Sequence, residues 1–76
     1  MKKQNCISFV YDANGRRIDF FRWTLKTPAA IKKHFDKHIK DFPSLCREWR
    51  RVEIYRTPDG LNEEPAPALA WEVMPA

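Results

Sequence analysis

Apolar and polar residues alternate from Cys6 to Tyr11, so that an extended chain carries Ile7, Phe9 and Tyr11 on one side and Cys6, Ser8 and Val10 on the other. Asp12, Ala13, Asn14 and Gly15 break the run. Asp12 can bond its own backbone two residues on, and Asn14 and Gly15 tolerate the positive φ of a tight hairpin connection. Arg16 to Thr24 then reads as a returning strand, with Ile18 and Phe20 on one side and Asp19, Phe21 and Trp23 on the other. Both sides of this strand are partly apolar, which is more than one helix can cover.

The period changes after Thr27. Thr27 fits an N-cap, Pro28 the first helical position, where no N–H is needed, and Pro43 a stop, which places a helix at 28–42. Ile31, Phe35, His38, Ile39 and Phe42 form one stripe, expected to face a sheet, with Lys33, Lys37 and Lys40 on the opposite side. Ser44 to Arg50 can cap and begin a short helical turn. Arg51 to Arg56 alternates Val52 and Ile54 against Arg51, Glu53 and Tyr55 as a third strand. Thr57, Pro58, Asp59 and Gly60 turn the chain, and the acidic, proline-containing stretch Leu61 to Pro67 reads as a loop. Ala68 to Met74 follows as a fourth strand with Leu69, Trp71 and Val73 inward. The predicted architecture is an α+β fold of order ββαββ: a four-stranded, mainly antiparallel sheet with one helix packed on one face.

Size narrows what such a fold can do. The chain of 76 residues makes a single domain, 1–76. At this length roughly 60% of the unfolded surface is buried on folding, so a deep, enclosed active site is hard to build. A hydrophobic content of 43%, with five Phe, three Trp and two Tyr, suffices for a packed core. No apolar stretch approaches the ~20 residues of a membrane helix, and the N-terminal residues lack the continuous apolar region of a secretory signal. The expectation is a cytoplasmic protein without a membrane partner, in which Cys6 and Cys46 remain thiols.

The net charge of +4 conceals an asymmetry. Residues 1–56 hold all fourteen Lys and Arg against six acids, giving +8, whereas residues 57–76 hold Asp59, Glu63, Glu64 and Glu72 and no base, giving −4. Either the acidic segment folds back on the basic body or the two signs mark separate faces.

Motifs for chemistry are weak. His34 and His38 have a spacing at which two imidazoles can share a metal ion, with Cys46 or Asp41 as a third ligand. A zinc-peptidase helix needs Glu directly after the first His, where this chain has Phe35, and His38 lies in the apolar stripe; no metal site is expected. Cys46 lacks the small-residue turn that would expose a nucleophile beside either histidine. Gly15 and Gly60, the two glycines, both belong to turns, so there is no phosphate cradle. The expectation is a protein with no catalytic residues and no cofactor.

Arg47, Arg50, Arg51 and Arg56 with Trp49 and Tyr55 interleaved are the most informative stretch. This composition is enriched at protein interfaces and on single-stranded nucleic-acid platforms. The alternative is that Trp49 tucks under the sheet edge while the arginines are solvated or paired with Glu48 and Glu53. Together with Trp23 and other aromatics of the first hairpin, these residues form the expected partner-binding surface. Two function classes compete for it: a stoichiometric protein-binding module, and a direct nucleic-acid binder. The modest net charge, the acidic C-terminal fifth and the lack of a helix-turn-helix, zinc-finger or ribonucleoprotein signature favour the protein-binding module. Apolar area on the uncovered sheet face also admits a homodimer. No motif matches a particular family. In general type, a domain this small without chemistry resembles accessory proteins of phages and mobile elements, including anti-CRISPR-like inhibitors. That likeness implies a partner that is a subunit of a nucleic-acid-processing complex.

Overall fold

The computed structural model describes residues 3–74. Its elements follow in the order β1 (Gln4–Tyr11), β2 (Arg17–Lys26), α1 (Pro28–Asp41), β3 (Arg51–Arg56) and β4 (Leu69–Glu72). The four strands form one antiparallel sheet in the order β2-β1-β3-β4, the expected α+β fold.

Local chemistry accounts for most of the boundaries. In the first turn the Asp12 carboxylate accepts the N–H groups of Asn14 and Arg16, each at 2.9 Å, and Gly15 takes φ 77°. The Thr27 hydroxyl accepts the Ala30 N–H at 3.2 Å with Pro28 at the first helical position, so α1 starts where its capping residues place it. At its other end the Phe42 N–H donates to the His38 carbonyl at 2.8 Å, but φ −131° and ψ 60° take Phe42 out of helical phase. Its ring is consequently 49% exposed, and the predicted inward stripe ends at Ile39 instead of continuing to Phe42. His38 is also exposed, with its ring over Trp49.

The core lies between α1 and one face of the sheet. Ile31 and Phe35 descend from the helix onto Cys6 and Val10 of β1, Val52 and Ile54 of β3, and Val73, and Phe21, Trp23, Leu69 and Trp71 complete the layer. The loop after α1 contributes Cys46 and Trp49. It is held by bonds from the Trp49 N–H to the Cys46 carbonyl (3.0 Å) and from the Arg50 N–H to the Tyr11 carbonyl (2.8 Å). Burial pushes both thiols up from their ordinary range. The helix covers this one face, and the opposite face has no second layer among the described residues.

Candidate functional site

The uncovered face is built from the other residue of each alternating pair. Ile7, Phe9 and Tyr11 run along its centre on β1. The register sets Arg22 and Tyr55 on either side of Ile7, Phe20 and Glu53 beside Phe9, and Arg17 and Arg51 beside Tyr11. Ala70 and Glu72 of β4 extend the last two rows.

This face divides into a paired half and an open half. On the β3 side, Arg51 donates to Glu53 at 3.1 Å and to Glu72 at 3.0 Å, and the Tyr55 hydroxyl donates to Glu53 at 2.9 Å. Burial raises the Glu53 pKa, but the hydrogen bonds from Tyr55 and Arg51 outweigh it and leave the carboxyl below its ordinary value. Burial and the Glu53 carboxylate both push the Tyr55 phenol up. On the β2 side, Phe20 is 57% exposed and Ile18 39%. Phe9 is only 5% exposed, because the Arg17 guanidinium lies 3.6 Å from its ring centroid while Tyr55 meets it edge-on at 5.7 Å. Arg17 is held there by a bond to the Tyr11 hydroxyl at 3.1 Å. Neither Arg17 nor Arg22 is ion-paired among the described residues.

The outer edge of β2 is unsuited to adding a strand. Its ladder to β1 is irregular between Val10 and Tyr11 and again between Gln4 and Cys6, and the Phe20 N–H already donates to the Asp19 carboxylate at 2.8 Å. Leu25, in the second irregular stretch, has φ 49°. Such devices blunt an edge, so a partner reaches β2 through its side chains and not through its backbone.

The residues expected to form one contact surface are distributed over three places. Arg51 and Tyr55 stand on the open face, engaged with Glu53. Trp49 is 7% exposed in the core, so the alternative in which it tucks beneath the sheet is the observed one. Trp23 shares the helix side of the sheet with it, their rings converging on Phe35. Arg56 stands opposite Cys6 and so belongs to the helix-side register. Arg50 donates to the carbonyls of Arg47 and Trp49 at 2.7 and 2.8 Å, bracing the loop, and Arg47 is exposed beside Glu48. The segment 47–56 thus changes from loop to strand in its middle and cannot present its arginines together. Arg17, Phe20 and Arg22 were not singled out from the sequence, although the apolar residues on both sides of the second strand were the signal that an exposed patch lay there.

Among the described residues no group of three or more His, Cys, Asp or Glu side chains is placed to hold a metal ion, and no helix is long and apolar enough to cross a membrane. Compared with protein-family models, curated proteins and solved structures, the chain finds no match in any of the three.

Proposed function

We propose that the protein is a non-enzymatic binding module that acts stoichiometrically on a protein partner through the open half of the uncovered sheet face. The observation that supports this most is Phe20, more than half exposed beside Phe9 and Ile18 and flanked by Arg17 and Arg22. Arginine and large aromatic residues dominate the energetics of protein interfaces, and the paired acids of the β3 side supply a polar rim. A nucleic-acid platform needs rings whose faces are available to bases, with phosphates met by surrounding cations. Here one face of Phe9 is occupied by Arg17, Tyr55 stands edge-on to that ring, and Glu53 and Glu72 lie on the same surface. Those features weigh toward protein. Small size, a basic body and the lack of a catalytic motif support extending the reading to blockade of a subunit of a nucleic-acid-processing complex.

The test is capture from nuclease-treated and untreated extracts of the source cell, with wild type and the Phe20→Ala, Arg22→Ala double variant as baits. A partner retained after nuclease treatment and lost at least about tenfold with the variant is expected, since one interface anchor contributes ~2 kcal/mol or more. The two side chains are exposed, so melting should be nearly unchanged. Tight binding of bare oligonucleotides that falls steeply with salt would transfer the assignment to nucleic acid.

A further inference from the structure

The uncovered sheet face has unlike ends. One row of side chains across the strands runs from Arg17 on β2 to Glu72 on β4, and the next runs from Phe20 on β2 to Ala70 on β4. Arg22 begins a third row, with Ile7 and Tyr55, which β4 does not reach. The β2 end thus holds Arg17 and Arg22, neither ion-paired among the described residues, and the β3 and β4 end holds Glu53 and Glu72. Arg51 is 3.0 Å from Glu72, yet the Glu72 side chain stays 67% exposed. Size differs in the same sense. Phe20 is more than half exposed at one end of its row, and Ala70, the smallest side chain of these rows, leaves a hollow at the other.

A face whose two ends complement each other fits a copy of itself. Sheets packed face to face commonly keep their strands aligned, and a closed pair of identical chains is related by a two-fold axis. With aligned strands, that axis runs either across the strands or along them. An axis across the strands sets β2 on β2 of the second copy, so that Arg17 and Arg22 meet the same two cations and repel. An axis along the strands, between β1 and β3, sets β2 on β4 and β1 on β3, and each row meets the same row reversed. Arg17, whose guanidinium leans over Phe9 toward the middle of the face, then meets the Glu53 and Glu72 end of the second copy, and Phe20 meets the hollow at Ala70. Every such contact is made twice. Each copy brings Arg17, Arg22 and Arg51 against Glu53 and Glu72, and the excess cation, Arg22, lies in the row that β4 does not reach, at the rim in water. Area sets the strength. Four strands ~4.8 Å apart over about 20 Å of shared length give a face of roughly 400 Å² in projection, against ~800 Å² per partner in a stable complex, so the pair is weak and reversible.

We propose that the uncovered face closes on a second copy of this chain about the axis along the strands. The dimer shares its surface with the protein-binding reading and does not depend on it; on that reading, copy and partner exclude each other. Sedimentation equilibrium from about 10 μM to about 1 mM should show a reversible passage from monomer to dimer. Arg17→Glu and Glu72→Arg each set like charges across the axis twice, and each should weaken the dimer at least about tenfold. Mixed in equal amounts, the two variants pair unlike charges at both contacts, and the mixture should regain the dimer that neither forms alone. Phe20→Ala, at an exposed ring, should leave melting nearly unchanged and weaken the dimer by a similar factor. Melting of every variant at monomeric concentration shows that it is folded. A chain monomeric throughout that range, a mixture no more dimeric than its components, or a dimer indifferent to Phe20→Ala would each overturn the proposal. The outcomes separate from those for partner capture. If the wild type stays monomeric while Phe20→Ala, Arg22→Ala still abolishes capture, the dimer falls and the function stands; if the mixture dimerises and that variant captures normally, the dimer stands and the open half is misassigned as the partner's site.

Discussion

Phe35→Ala removes the ring on which the core converges, and its cost can be worked from the surroundings. The ring is 3% exposed and meets four others at similar range: Phe21 at 5.7 Å, and Trp23, Trp49 and Trp71 each at 5.8 Å. Truncating a buried Phe costs about 3–5 kcal/mol through lost transfer energy and the void left behind. Aromatic pairs contribute ~0.5–1.5 kcal/mol each beyond their area, which moves the expectation to the upper end, about 4–5 kcal/mol. A domain of this length has a total stability of ~4–11 kcal/mol, so the variant loses between two-fifths and all of it. Melting followed by circular dichroism should fall by at least about 15 °C, at ~4–8 °C per kcal/mol. Phe42→Ala, at a ring predicted for the same stripe but half exposed, should cost under ~1 kcal/mol. A Phe35 variant within about 1 kcal/mol of wild type, or equal losses at the two positions, would refute this account of the core.

Two further outcomes follow from particular backbone and charge states. Leu25 holds φ 49°, a conformation costing L residues roughly 1–2 kcal/mol, against a lesser entropic cost for glycine in the unfolded chain. Leu25→Gly should therefore leave stability unchanged or raise it by up to about 1 kcal/mol in urea titrations, whereas Leu25→Val should lower it. Glu53 has a folded-state pKa below its ordinary value, so its contribution is present above the ordinary carboxylate range and is lost as pH falls through the folded value. Glu53→Gln should accordingly lose less stability than wild type between neutral and acidic pH, and an unchanged slope would remove Glu53 from the acid response.

Elements and caps were legible along the chain because the groups that set them are neighbours in sequence. Asp12 reaches the amides of Asn14 and Arg16, Thr27 reaches that of Ala30, and the alternation in β1, β2 and β3 states which side chains share a face. Periodicity does not say which strands become neighbours. The pairing of β1 with β3, through Phe9 opposite Glu53 and Val10 opposite Val52, joins segments separated by a helix and a loop, and it puts β1 in the middle of the sheet. That position buries both faces of β1, so Ile7 and Phe9 are covered on a face where the pattern alone would leave them open. The candidate site depended on the same long-range terms. Trp49 and Tyr55 are near in sequence, yet packing against Phe35 draws Trp49 into the core while strand alternation turns Tyr55 to the far face. Arg17 meets Phe9 only because the hairpin register lays its guanidinium across that ring. Composition sets which residues can anchor a contact; the register and the placement of the helix set which of them remain exposed, since burial is decided by what the rest of the chain brings alongside.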